Sequence, residues 1–127
     1  MRRFTYLLAA LVFAIPFLFP LAGGAAVAGV NSFTAQTAVG QTAGFDVGTA
    51  SVHSIQLVVT GAPTACTYRL QGSNDGTTWY HISAADITCT SSIVSFESNK
   101  PARFVRGDLK TLTGGASPTV TLHYAGK

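Results

Sequence analysis

The stretch Tyr68-Arg69-Leu70-Gln71-Gly72-Ser73-Asn74-Asp75-Gly76-Thr77-Thr78-Trp79-Tyr80-His81-Ile82 reads as strand, tight turn, strand. Two alternating runs flank Asn74, Asp75 and Gly76. Asn and Asp tolerate left-handed backbone angles, and Gly adopts them without steric cost. Such a cluster between apolar runs predicts a β-hairpin, here with a longer loop and a bulge at Gly76. Its arms, residues 66–73 and 77–83, carry Tyr68, Leu70, Trp79, Tyr80 and Ile82. Trp79 and Tyr80 are neighbours on one arm, so they point to opposite sides of the sheet. One of them must face outward or cover the end of the sheet.

The flanking sequence repeats this alternation. In residues 53–60, Ile55, Leu57 and Val59 alternate with Ser54, Gln56 and Val58, and Gly61-Ala62-Pro63 ends the run. Residues 91–97 set Ile93 and Ser95 against Val94 and Phe96, and Ser98-Asn99-Lys100-Pro101 reads as a turn. Residues 102–109 form another strand, with Phe104 and Val105 on opposite faces. After the turn Gly114-Gly115-Ala116-Ser117-Pro118, Val120, Leu122 and Tyr124 share one face of the last strand. Residues 29–49 alternate more weakly, as two short strands or one strand and an irregular arm. Nothing past the N-terminal segment has helical spacing. These short strands predict an all-β, antiparallel β-sandwich as a single domain over residues 29–127. The expected core draws on Ile55, Leu57, Val59, Leu70, Trp79, Ile82, Val94, Phe96, Phe104, Val120, Leu122 and Tyr124.

Ahead of this domain, Arg2 and Arg3 precede an apolar run over residues 4–21 and then small residues. That is the layout of a secretory signal, and Ala26-Val27-Ala28 fits its cleavage site. Residues 1–28 are read as a signal peptide; left uncleaved, they would be an anchor and the chain's contact with a membrane. Cleavage leaves 99 of the 127 residues, with six basic side chains against five acidic ones. Such a balance argues against nucleic acid as a partner, which needs clustered Lys and Arg. Export also gives the two cysteines a meaning. Cys66 and Cys89 are expected to form a disulfide closing a loop of about two dozen residues, which stabilises by roughly 3 kcal/mol.

Enzyme readings fare poorly. The chain has five carboxylates, Asp46, Asp75, Asp86, Glu97 and Asp108, and their spacing pairs none of them for acid–base work. The serines lack a nucleophile-elbow pattern, and the dispersed His53, His81 and His123 match no zinc spacing. Asp75 and Asn74 offer too few oxygens for calcium and are explained by their turn. No cofactor or metal is expected, and a small secreted hydrolase stands only as a third reading. Arg106-Gly107-Asp108 is similar to the adhesion tripeptide of integrin ligands, but it continues a strand, where a bulge at Gly107 explains it structurally. Outward aromatics carry more. An aromatic beside Arg69 or Arg103 makes a platform for sugar rings, so Trp79, Tyr80, His81 and Arg103 are the expected ligand-binding residues.

Two resemblances follow from these residues. The run from Leu70 to Trp79 resembles the Gly-Ser-Asn-Asp-Gly-x-x-Trp hairpin of discoidin (coagulation-factor type C) domains. Ala102-Arg103-Phe104-Val105-Arg106 and the closing run from Val120 to Gly126 resemble strands of the same family. The resemblance covers residues 53–126. It implies a jelly-roll-like sandwich that binds carbohydrate or another cell-surface ligand through loops at one end. The chain is shorter than a discoidin domain before residue 53, so ligand residues do not carry over. The run from Leu112 to Thr121 is also similar to small β-sandwich proteins of phage particles, which implies a structural or decoration module that self-associates. Either way the expected location is secreted or extracytoplasmic.

Overall fold

A computed structural model describes residues 31–127, and of Asn31, Phe96 and Ser98 the backbone alone. The signal read at residues 1–28 lies outside the described residues. The described residues hold no helix, only strands and their connections. In chain order these are β1 (Asn31–Ser32), β2 (Gly40–Gln41), β3 (Phe45–Thr60), β4 (Ala65–Ser73), β5 (Tyr80–His81), β6 (Ile87–Thr88), β7 (Ile93–Thr113) and β8 (Thr119–Gly126). They pair antiparallel in one curled sheet of order β1-β8-β3-β7-β4-β5, with β2 also on β7 and β6 also on β4.

β7 is the spine. Its first part pairs with β3, from Leu57↔Ile93 to Phe45↔Val105. Its second part pairs with β4, from Ser73↔Phe104 to Ala65↔Thr113, while Gly40 and Gln41 of β2 take the edge that β3 has left. The sheet bends where these parts meet. β3 carries extra residues around Gly48, held left-handed at φ 70° with its N–H on the Asp46 carboxylate at 2.9 Å. β7 carries extra residues around Asn99, at φ 59°. The expected turn over Ser98-Asn99-Lys100-Pro101 is therefore an irregularity inside one long strand. Asn tolerates left-handed angles, so the chain kinks there without reversing.

The inner face buries Ile55, Leu57, Leu70, Val105, Leu122 and Tyr124 among others. Several expectations change, and Trp79 and Phe104, expected in the core, are half-buried outside it. Val94 pairs with Gln56 on the outer face and is 65% exposed, whereas Ile93 falls opposite buried Leu57. Inward and outward positions alternate, so the register set by Leu57 sends Val94 to solvent. Gly107 pairs regularly with Leu70 and makes no bulge. A Cβ there would collide with the hydroxyl of buried Tyr68, so glycine makes room for an aromatic ring on the neighbouring strand. The bulge lies instead between Thr67 and Tyr68, opposite Lys110.

The Cys66–Cys89 disulfide exists, with Cα atoms 4.9 Å apart and both residues buried. It ties the segment after β6 to β4, and Cys89 also donates its N–H to the Cys66 carbonyl at 3.0 Å. With Ser83 Oγ accepting from Leu70 N–H at 2.8 Å, residues 80–89 cover the outer edge of β4.

Candidate functional site

The hairpin loop is built around one carboxylate. Asp75 Oδ1 accepts from the N–H groups of Thr77 and Thr78 and from the Ser73 hydroxyl at 2.7–2.8 Å. Ser73 Oγ in turn accepts from Gly76 N–H at 2.9 Å. The two backbone bonds, then the Ser73 bond, hold the Asp75 carboxyl far below its ordinary value. Gly76 is left-handed at φ 76°, as the turn reading requires. The returning strand is short, and only Tyr80 and His81 pair with β4.

This loop delivers Trp79 and Tyr80 to different neighbours. Tyr80 packs against the core, and its hydroxyl donates to the Pro101 carbonyl. Trp79 stacks on the guanidinium of Arg106, 4.2 Å from the ring centroid. Arg106 Nε donates to Gln71 Oε1 at 2.7 Å, Gln71 Nε2 donates to Asp108 Oδ2 at 3.3 Å, and Lys110 lies 3.7 Å from the same oxygen. Asp108 is only 4% exposed, so the Arg106-Gly107-Asp108 tripeptide is strand structure and not a loop tip. His81 is exposed in register with Gln71. Arg103 lies apart from these, paired with Asp46 at 3.1 Å and over the Phe104 ring at 5.1 Å. The four sequence-predicted residues thus do not converge on one surface. Trp79 and His81 belong to the outer face, Tyr80 to the core margin and Arg103 to the Asp46 pair.

What converges instead is the arm before β3. Phe33 donates its N–H to Leu122 and Gln36 exchanges two bonds with Val120, so the arm covers the edge of β8. It then crosses to β7, where Thr42 takes both peptide groups of Gly107 at 2.9 Å, one through its backbone and one through its hydroxyl. Between these two attachments is a groove of about 390 Å³ lined by Phe33, Gln36, Gln41, Thr42, Gly44 and Phe45 among others. Phe33 and Phe45 meet edge to face at 6.3 Å, and Phe45 is 41% exposed. Gln36 Nε2 donates to the Gly40 carbonyl at 2.9 Å, while its buried Oε1 has no partner among the described residues. Trp79 backs the groove, because an added Cβ on Gly44 would stand 2.8 Å from the indole. Sequence reading missed this region. Its signal was present in Phe33, Ala35, Phe45 and Val47, but Thr, Ala and Gly between them blur the alternation.

A third polar group is buried beneath the bend. His53, 1% exposed, lies between the Tyr124 hydroxyl at 2.8 Å and the Lys100 carbonyl at 2.7 Å. A carbonyl only accepts, so Nε2 carries the proton and Nδ1 accepts from Tyr124. Burial pulls His53 below the ordinary imidazole value, against the opposing pull of the Lys100 carbonyl and of the Glu97 charge. Burial also pushes Tyr124 up to about 12. Among the described residues, no three His, Cys, Asp or Glu side chains gather as metal ligands. Comparison with known proteins adds no assignment: no family model matches the chain, and no curated protein matches it.

Proposed function

We propose that the chain is an exported, non-catalytic binding module that holds a carbohydrate in the groove of its N-terminal arm. The observation that carries this reading is one groove that holds the Phe33–Phe45 pair and a buried Gln36 Oε1 with no partner among the described residues. A sugar ring offers apolar C–H faces to aromatics and hydroxyl donors to an amide oxygen. An acceptor left bare in a buried position costs about 1–3 kcal/mol, which a donating hydroxyl would recover. Export is supported by the buried disulfide, since such bridges persist in oxidising compartments. A jelly-roll-like sandwich of discoidin type is supported by the Asn74-Asp75-Gly76 loop and by the long, bent β3 and β7. The non-catalytic reading is supported by the state of four of the five acids: Asp46 and Asp86 pair with Arg103 and Arg69, Asp75 is consumed by its loop, and Asp108 is buried.

The test is a titration of isotope-labelled protein with a panel of simple saccharides, read by amide shifts. The expected result is shifts confined to residues 33–45, with affinity lowered about tenfold by Phe45→Ala. A panel that leaves those amides unmoved at saturating sugar would overturn the proposal. A structural, self-associating role is the second reading, and it is favoured by residues 93–98 of β7, which among the described residues pair with β3 on one side and with no strand on the other.

A further inference from the structure

The geometry points to a second copy of this chain as the partner of the open edge at the start of β7. The other edges of the described sheet are largely covered, and the stretch of β3 that β8 leaves free, residues 45–50, is broken by the left-handed Gly48. The arm lies on β8, residues 80–89 lie on β4, and β2 lies on the second part of β7. Residues 93–98 have β3 on one side, and among the described residues no strand or loop backbone bonds the other.

The peptide groups that face outward can be named. Val52 exchanges both of its backbone bonds with Lys127 at 3.0 Å, so its peptide groups face β8. Alternate residues of β3 turn the other way, and His53, Ile55 and Leu57 therefore bond Glu97, Ser95 and Ile93. Val59 confirms the phase, since its N–H reaches Ser92 Oγ at 3.1 Å on that side. It follows that Val94, Phe96 and Ser98 direct their N–H and C=O groups away from β3, into the open. Val94 is also 65% exposed and Ile93 37% exposed beside them.

The edge is blunted at one end only. Asn99, Lys100 and Pro101 form the left-handed kink, the charge and the missing N–H that protect natural edges. Residues 93–98 carry none of these, apart from the charge of Glu97, and their edge away from β3 has no strand partner among the described residues. Two copies satisfy each other about a two-fold axis at position 96. That register sets Val94 opposite Ser98 and Phe96 opposite itself, so all three outward residues exchange both bonds. Glu97 falls opposite Ser95, and no like charges face each other directly. The kink at Asn99 ends the pairing on both sides, so the interface is small and the dimer weak. It leaves the groove of the arm free and does not depend on what that groove holds.

Sedimentation of the full chain from about 1 μM to 1 mM tests this, with a Kd expected in the upper part of that range. Val94→Lys places a charge at the junction, and Val94→Pro removes an N–H that the β3 ladder does not use. Each should weaken the dimer at least about tenfold. Val39→Lys alters an equally exposed valine, 60% exposed and outside β7, and should leave the dimer intact. Amide exchange at positions 94, 96 and 98 should slow as concentration rises. A monomer throughout the range, a dimer indifferent to both Val94 variants, or amides already protected in the dilute monomer would each overturn the proposal.

Discussion

The two parts of β7 share one chain and one ladder direction, yet they live in different surroundings. From Phe104 to Thr113 the strand has β4 on one edge, β2 on part of the other, buried Val105 and Leu109 on its inner face and the Arg106–Gln71–Asp108 row outside. From Ile93 to Ser98 it has, among the described residues, β3 alone, and both Ile93 and Val94 reach solvent. The sheet keeps most of its stability in the second part. Packing is concentrated where β7 is flanked twice, and the singly flanked part is left for contact with something else.

The largest expected effects therefore fall on the doubly flanked part. Replacing Cys66 and Cys89 together by Ala opens a loop with a sequence separation of 23 and should cost about 3 kcal/mol in urea unfolding. Gly107→Ala comes next. Its methyl would occupy the space of the Tyr68 hydroxyl, and because Tyr68 is wholly buried the ring has no free volume to enter. Overpacking of this kind should cost about 2 kcal/mol. A Gly107→Ala protein as stable as the parent would show that β4 and β7 yield, and would weaken the contrast between the two parts.

Much of this architecture was legible in the residues. Asn74-Asp75-Gly76 specifies its loop locally, because Asp75 and Ser73 bond backbone groups within three positions. The strands, the disulfide and the inward set Val120, Leu122 and Tyr124 follow from alternation and cysteine parity. Facing was harder. In residues 93–96 both alternating sets hold an aliphatic residue, so pattern cannot say which set is inside, and only the pairing of Leu57 with Ile93 decides. Gly107 was legible as a special position but not as a cradle, since the ring that needs the space is 39 positions away on another strand. The arm groove was illegible for a related reason. Its walls are set by bonds to β8 and β7 that no local pattern encodes.

At the bend between the parts, His53 makes the comparison pH-dependent. Its folded-state affinity for protons is lowered, chiefly by burial, so the unfolded chain binds the proton more readily. The contribution is complete above the ordinary imidazole value of about 6.5 and is lost as pH falls through the lower folded-state value. Protonated Nδ1 can no longer accept from Tyr124, and the link between β8 and the Lys100 kink is broken. Urea unfolding of the parent should therefore weaken between pH 7.5 and pH 5 more than that of His53→Gln, whose amide can still donate to the Lys100 carbonyl. Equal slopes in the two proteins would remove His53 from the account of the bend.

The smallest effect should come from Val94→Lys, and its smallness is the sharpest test of the contrast. Val94 is 65% exposed, its partner Gln56 is polar and exposed, and its peptide groups take no part in the β3 ladder. Nothing is desolvated by the change, no cavity forms, and lysine can lie along the strand with its ammonium in water. Unfolding of the dilute monomer should shift by no more than about 0.5 kcal/mol. The same change, placed where two copies meet, brings an ammonium against the partner's edge and should raise the dissociation constant by about tenfold or more. A residue that matters to the folded chain moves both measurements, whereas one that matters only to association moves the second alone. If Val94→Lys destabilised the monomer by as much as Gly107→Ala, the first part of β7 would be core like the second, and the edge would already be covered by the chain itself.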